Sequence, residues 1–236
     1  MGKKWILVFD SGTGGKYTME QIRQYLPHEN YLLFMDKTNC PYGNKTKLNL
    51  KKIITKTLKK LTAKFDIKLV VIACNTISSM FAGFLQKKFY DVPFVFVLPA
   101  VNENILQNST LILCTKNTAK YNKNLKKYKK QKNVWVQGFD SLAKKIDNCN
   151  GDFNILQPYL TKKLKRFAIK KPVNVVLGCT HFNYIKEQIK TALKTDVNFF
   201  ENSQDVSFKV KDKLVATSNF SRKKADGELL VLYHIS

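Results

Sequence analysis

Two cysteines occupy positions where a side chain can do chemistry. Cys74 follows the apolar run Leu69-Val70-Val71-Ile72-Ala73 and precedes Asn75-Thr76, and Cys179 follows Val173-Asn174-Val175-Val176-Leu177-Gly178 and precedes Thr180-His181. Each run is β-branched, of strand length, and ends in one small residue, a thiol and short polar side chains. Such a pattern reads as a buried parallel strand delivering its C-terminal end to a helix N-terminus, the place where open α/β sheets bind ligands. Unpaired backbone N–H groups and the positive end of a helix dipole favour thiolate there. The chain thus offers two activated thiols, one from each half.

A free cysteine is commonly a buried small hydrophobe, and that is the reading for Cys40, Cys114 and Cys149. A lone nucleophilic cysteine asks for a histidine relay; His181 could serve Cys179, but nothing comparable adjoins Cys74. Disulfide exchange uses closely spaced pairs, and the chain has no C-x-x-C. Acid–base work on two faces of one carbon fits better. One thiolate removes the proton alpha to a carboxylate, and the opposite thiol returns a proton to the other side. Identical groups in both roles make the exchange reversible, as racemisation requires, and an unperturbed thiol pKa of about 8.5 suits both. Asp10 is the natural proton manager for Cys74, and His181 for Cys179. Ser11, Asn75, Thr76, Thr118 and Thr180 supply short donors for a substrate carboxylate and amine, and preorganised donors usually give the largest catalytic contribution.

Elements that alternate along the chain must position these groups. Residues 4–9 read as a strand ending in Asp10, followed by the glycine-rich turn Ser11-Gly12-Thr13-Gly14-Gly15 and a helix over 17–26. Such a turn brings backbone amides to an anion or allows tight packing, and it lacks a P-loop ending. A strand over 31–35 leads to Pro41-Tyr42-Gly43, a turn signal carrying an aromatic hydroxyl. Leu50, Ile53, Ile54, Thr57, Leu58, Leu61 and Phe65 form a helical stripe within 45–65, and a helix over 76–89 follows Cys74. A strand over 92–98 ends before Pro99-Ala100, read as the crossover to a second half. There the spacing predicts strands over 111–114, 134–136 and 197–200, and helices over 141–147, 155–167, 183–193 and 206–214. One further helix is expected from the Thr115 loop to residue 132. Asp226-Gly227 signals a turn into a closing strand over 228–235. Strand–helix alternation implies parallel α/β architecture, with two similar parallel-sheet halves facing each other across an active-site cleft.

Composition narrows the partners. The chain has 236 residues and 44% hydrophobic residues, which supports a real core. No apolar run approaches a membrane span, and Met1-Gly2-Lys3-Lys4-Trp5 enters a strand without a signal sequence. Five cysteines, an odd number, point to free thiols in a reducing cytoplasm. With three histidines and no C-x-x-C, a structural zinc site is not expected. Lys+Arg 41 against Asp+Glu 17 gives a net charge of +24, which suggests a nucleic-acid partner. Most of that charge is lysine mixed with Asn, Ile, Phe and Tyr, the bias of an AT-rich genome, whereas base readout calls for arginine. The eight lysines between residues 116 and 132 form the best basic surface, though a solvated helix face is the simpler reading.

The motifs Phe9-Asp10-Ser11-Gly12-Thr13-Gly14-Gly15, Pro41-Tyr42-Gly43, Ala73-Cys74-Asn75-Thr76 and Gly178-Cys179-Thr180-His181 resemble, in order and spacing, the cofactor-independent glutamate racemases of the aspartate/glutamate racemase superfamily. Thr115 to Thr118 is similar to a further substrate loop of that family. The resemblance implies two α/β domains with the active site between them, residues 1–98 plus 205–236 on the Cys74 side and 99–204 on the Cys179 side. It implies Cys74 and Cys179 as the acid/base pair, with Asp10 and His181 assisting. Glutamate would be held by Asp10, Ser11, Pro41, Tyr42, Gly43, Asn75, Thr76, Thr115, Thr118, Thr180 and His181. No metal, pyridoxal phosphate or nucleotide is implied, and the D-glutamate formed would serve peptidoglycan. Dimers are common in the family. Racemisation of aspartate or another small amino acid, and an inactive member acting as a basic nucleic-acid-binding protein, are the alternatives. The chain departs from the family at Phe182-Asn183, where an aromatic and a proline are usual. It departs again around Phe139-Asp140-Ser141-Leu142, where Cys and Pro are missing and the expected acid falls near Asp147. At Glu201-Asn202-Ser203 it replaces an Asp-Ser-Gly-like element.

Overall fold

The structure, a computed structural model, describes residues 2–221 and 225–235. Met1, residues 222–224 and Ser236, which the domain ranges above include, lie outside the described residues. The chain runs β1 (Trp5–Asp10), α1 (Gly14–Tyr25), β2 (Tyr31–Met35), α2 (Lys47–Lys64), β3 (Ile67–Ile72), α3 (Asn75–Lys88) and β4 (Phe94–Phe96). It continues through α4 (Glu103–Leu106), β5 (Thr110–Thr115), α5 (Lys116–Tyr121), α6 (Lys123–Tyr128), β6 (Val134–Phe139), α7 (Leu142–Asp147), α8 (Gln157–Lys170) and β7 (Asn174–Gly178). The last elements are α9 (Lys186–Leu193), β8 (Asn198–Phe200), α10 (Ser203–Ala216) and β9 (Leu229–Leu232).

Two all-parallel sheets result, ordered β4-β3-β1-β2-β9 and β6-β5-β7-β8. Read from its other edge, the second sheet is β8-β7-β5-β6, the same connectivity as β4-β3-β1-β2. Each cysteine therefore follows the third strand of its half, beside the first. Between first and third strands the order reverses, and at such a switch point the loops diverge and leave a crevice.

Every residue of β1 and β3 is buried, because helices cover both faces. On one face Leu7, Phe9, Val70 and Ile72 meet the stripe Leu50, Ile54, Leu58 and Leu61 of α2. On the other, Ile6, Val8, Leu69 and Val71 meet Met19 and Ile22 of α1 and Val206 and Val210 of α10. The second sheet is sandwiched likewise, with Leu160 and Leu164 of α8 and Ile189 of α9 on one side and Leu125 of α6 on the other. Each fully buried side chain of this kind is worth roughly 1.5–3 kcal/mol, and these apolar faces fix how the helices sit on each sheet.

Several expected boundaries change. The helix after Thr115 breaks at Asn122, whose extended backbone (φ −71°, ψ 115°) and side chain, accepting from Leu125 N–H, start α6 afresh. The helix expected over 183–193 becomes a 3-10 turn, Thr180–Ile185, followed by α9. The closing strand shortens to Leu229–Leu232, an edge strand whose register with β2 runs from Tyr31 to Phe34. The strand over 92–98 shortens to Phe94–Phe96.

Candidate active site

Asp10 is the last residue of β1 and is fully buried. Its Oδ1 accepts from Ser11 Oγ at 3.3 Å and Gly12 N–H at 3.1 Å, and its Oδ2 accepts from Thr180 Oγ1 of the other half at 3.1 Å. The glycine-rich turn thus serves an internal anion. It also allows close approach: a Cβ on Gly12 would lie 2.5 Å from Asp147 Oδ2 and 2.6 Å from His181 Nε2. Burial raises the Asp10 pKa above its ordinary value, against the lowering effect of His181 and these donors.

Cys74 is the residue immediately before α3. Its Sγ lies 3.8 Å from Ser11 Oγ, so Ser11 links the thiol to Asp10. The thiolate expected from the helix start is not what the structure favours. Burial, then the Asp10 charge, push the Cys74 pKa up to about 12, and Ile77 N–H and Ser11 lower it only in part. Desolvation of an ion outweighs a helix terminus here.

Cys179 precedes the 3-10 turn rather than an α-helix, and its Sγ lies 3.8 Å from His181 Nδ1. On the far side of the ring, His181 Nε2 is 3.3 Å from both carboxylate oxygens of Asp147, the last residue of α7. Thr13 Oγ1 donates to Asp147 Oδ1 and Cys40 Sγ to Asp147 Oδ2. Burial disfavours a charged His181, yet the hydrogen bond to Asp147, with Cys179 and Asp10, carries its pKa well above the usual value. Burial likewise works against ionised Asp147, and His181, Thr13 and Cys40 outweigh it, so its pKa is lowered. Both shifts favour the ion pair, an imidazolium beside a carboxylate.

The two cysteines line one pocket with Ser11, Pro41, Tyr42, Gly43, Asn75, Thr76, Thr115, Thr180 and His181. Asp10 and Thr118 do not line it but hydrogen-bond to residues that do, Asp10 with Ser11 and Thr180, and Thr118 with Thr115. Thr118 closes a hydroxyl cluster that spans the halves: Thr76 Oγ1 to Thr115 Oγ1 at 2.9 Å, Thr115 to Thr118 at 2.9 Å, and Thr76 to Thr118 at 3.4 Å. The Tyr42 hydroxyl is engaged elsewhere, donating to Asp36 Oδ2 at 2.5 Å. Asn75 Oδ1 is a buried acceptor with no hydrogen-bond partner among the described residues. Ala143, which also lines the pocket, and the Asp147–Thr13–Cys40 group had no sequence signal beyond the acid expected near Asp147. Asn117, which donates to the carbonyls of Tyr42 at 3.0 Å and Lys45 at 2.9 Å, had none.

Geometry therefore gives two thiols on one pocket, each with its own route to a carboxylate, Cys74–Ser11–Asp10 and Cys179–His181–Asp147. No protein-family model matches the chain. The glutamate racemase of Clostridium novyi (strain NT) is 30% identical over 229 residues, covering 94% of this chain and 88% of that protein. The glutamate racemase of Buchnera aphidicola subsp. Acyrthosiphon pisum (strain 5A) is 32% identical over 229 residues, covering 92% and 86%. This chain belongs to the glutamate racemase family. Its fold agrees: the Escherichia coli glutamate racemase, solved with L-glutamate and the activator UDP-MurNAc-Ala, superposes with a TM-score of 0.82 at 24% identity, covering 98% of this chain and 89% of that one. Membership makes the chain one of the amino-acid racemases, and the two thiol–carboxylate routes are the features of its own structure that such chemistry can use. Among the described residues, no helix is long and apolar enough to cross a membrane.

Proposed function

We propose that this chain interconverts L- and D-glutamate by carrying the α-proton between Cys74 and Cys179. The observation that carries this reading is the placement of the two thiols on one pocket, each backed by a separate carboxylate. Family membership supplies the substrate class. The substrate amine would meet the acceptors Asn75 Oδ1 and Asp10, and unpartnered Asn75 Oδ1 is the atom an ammonium would satisfy. Carboxylates would meet the hydroxyl donors of Ser11, Thr76, Thr115, Thr118 and Thr180 and the backbone N–H groups of Tyr42 and Gly43, with Pro41 shaping that turn. These donors stabilise the charge that develops as the α-proton leaves.

With Cys74 as acid, the thiol hands its proton to the carbanion, and Ser11 and Asp10 restore it. With Cys179 as acid, the His181 imidazolium, 3.8 Å from Sγ, restores the proton and Asp147 holds the ring in place. The reverse direction exchanges the roles. The division into residues 1–98 plus 205–236 and 99–204 is part of this proposal; it is supported by α10 and β9, which return to the first sheet. A cytoplasmic setting, supply of D-glutamate to peptidoglycan and assembly as a homodimer are further parts of the proposal.

The test is α-proton exchange in D₂O with circular dichroism, using L-glutamate and L-aspartate on wild type, Cys74→Ser and Cys179→Ser. Deuterium uptake with loss of optical activity for glutamate, and loss of racemisation in both variants, is the expected result. Absence of exchange with glutamate, or preference for aspartate, would overturn it.

A further inference from the structure

Cys40 has no part in the proton routes, yet its thiol reaches the outer end of one of them. Cys40 Sγ lies 3.6 Å from Asp147 Oδ2, and His181 Nε2 lies 3.3 Å from the same oxygen. All three ligand atoms fall within 4.8 Å of one another. Zinc bonds of about 2.3 Å to sulfur and 2.0–2.1 Å to nitrogen and oxygen, at tetrahedral angles, separate sulfur from oxygen by about 3.6 Å and nitrogen from oxygen by about 3.3 Å. Two of the three edges of a zinc coordination triangle are therefore already present. We propose that Cys40, Asp147 and His181 form an inhibitory site for a thiophilic divalent cation of the Zn²⁺ class, with water as fourth ligand. The inhibition rests on the racemase reading; the binding does not.

The surroundings fit a ligand set. Thr13 donates to Asp147 Oδ1 and leaves Oδ2 for the metal. His181 Nδ1 faces Cys179 Sγ and Thr180 Oγ1, which hold the ring orientation and the N–H tautomer that a metal on Nε2 requires. A cleft of about 210 Å³, lined in part by Thr13, Asp147, Asn150 and Tyr184, reaches Asp147 and gives a hydrated cation its approach. One carboxylate oxygen does not serve Mg²⁺ or Ca²⁺, which require oxygen-rich shells, and the net charge of +24 repels any cation held by charge alone. Thiolate and imidazole bonds select the soft cation instead. The ligands come from three separated segments, which is why spacing in the sequence showed nothing.

On binding, Cys40 Sγ–H and the imidazolium Nε2–H each release a proton to solvent, and sulfur, nitrogen and Oδ2 each donate a pair to the metal. His181 then keeps its Nδ1–H, but Nε2 can no longer take up a proton from solvent or share one with Asp147. His181 is then a neutral, metal-held ring instead of an imidazolium, so the Cys179 route loses its acid and its link to Asp147 while the Cys74 route is untouched.

Co²⁺ is the direct probe. Titrated into wild type it should produce the near-ultraviolet thiolate-to-cobalt charge-transfer band, absent in Cys40→Ala and in Cys40→Ser. Zn²⁺ should suppress glutamate racemisation by wild type, with recovery on chelation. Either Cys40 variant, checked as folded by circular dichroism, should need at least roughly tenfold more Zn²⁺ to halve its own metal-free activity than wild type needs to halve its own. Equal Zn²⁺ sensitivity in the variants, or a cobalt band that survives them, would place the metal away from Cys40 and overturn the proposal. A cobalt band dependent on Cys40 in a chain that racemises nothing would keep the site and remove the racemase reading.

Discussion

At Cys74 two effects oppose each other. The start of α3 offers a backbone N–H, whereas burial beside Asp10 removes water from any thiolate, and burial prevails. Cys74 therefore rests as a thiol in this closed form. At His181 the balance falls the other way, since Asp147 supplies the opposite charge that burial demands. His181, raised in the fold, contributes stability that is complete below its unfolded pKa of about 6.5 and is lost as pH rises through the folded value. Asp147, lowered in the fold, contributes above about 3.9 and loses that contribution as pH falls through its folded value. Asp147→Asn should therefore lower stability by about 1.5–3 kcal/mol near neutral pH. The difference from wild type should shrink at both acid and alkaline extremes, as urea unfolding across pH would read. A difference independent of pH would mean that the carboxylate acts by packing alone. The two thiols, Asp10 and His181 were legible because strand-end residues announce themselves by the apolar run before them. Asp147 was legible only as a family position, because nothing in a sequence records that the last residue of one short helix faces a histidine 34 residues on.

At the scale of elements, the long apolar runs made β1, β2, β3 and β7 readable, and the α2 stripe likewise. Short polar linkers were not, since a few Asn and Thr residues among many lysines carry no apolar period to separate helix from cap and turn. Asn122 is the clearest instance: its residue type suits a helix interior poorly and an N-cap well, yet the lysines on both sides read as one exposed helix. Its Oδ1 caps α6, and its Nδ2 donates to Ser79 Oγ of α3 at 3.2 Å, joining the two halves away from the pocket. Asn122→Ala should cost about 1 kcal/mol from the cap, lowering Tm by about 2–4 °C for a chain of this size. Asn122→Asp, which keeps the Oδ1 acceptor and loses the donor, should recover most of that loss in a thermal scan. If both variants fall equally, the tie to Ser79 rather than the cap is what α6 depends on. The eight lysines around this break are all exposed, as expected of a solvated face, and Lys116 pairs with Asp140 at 2.6 Å.

For the whole molecule the governing fact is closure. The pocket between the two sheets has only about 10 Å³ free, the room of about one water, and no amino acid fits. Ties across it are short and numerous: Thr180 to Asp10, Thr76 to Thr115, Asn117 to Tyr42 and Tyr184 Oη to the Thr13 carbonyl at 3.1 Å. Each is a polar contact that water can replace, so separating the halves exposes groups that hydrate readily, unlike the apolar cores on either side of each sheet. Two opposed halves were legible in the repeated strand–Cys motif; their degree of closure was not, because it depends on side chains meeting across the gap. Substrate entry then requires the halves to part, and ligand should draw them together again. A closed chain of this length has a radius of gyration of about 17–18 Å. Small-angle scattering of monomer-resolved fractions should give a larger value without substrate than with saturating glutamate. Hydrogen exchange at Asn75, Thr76 and Thr118 should slow in parallel when glutamate is added. An unchanged radius accompanied by slower exchange confined to Tyr42 and Gly43 would instead make the Pro41-Tyr42-Gly43 segment the gate, with the two sheets fixed.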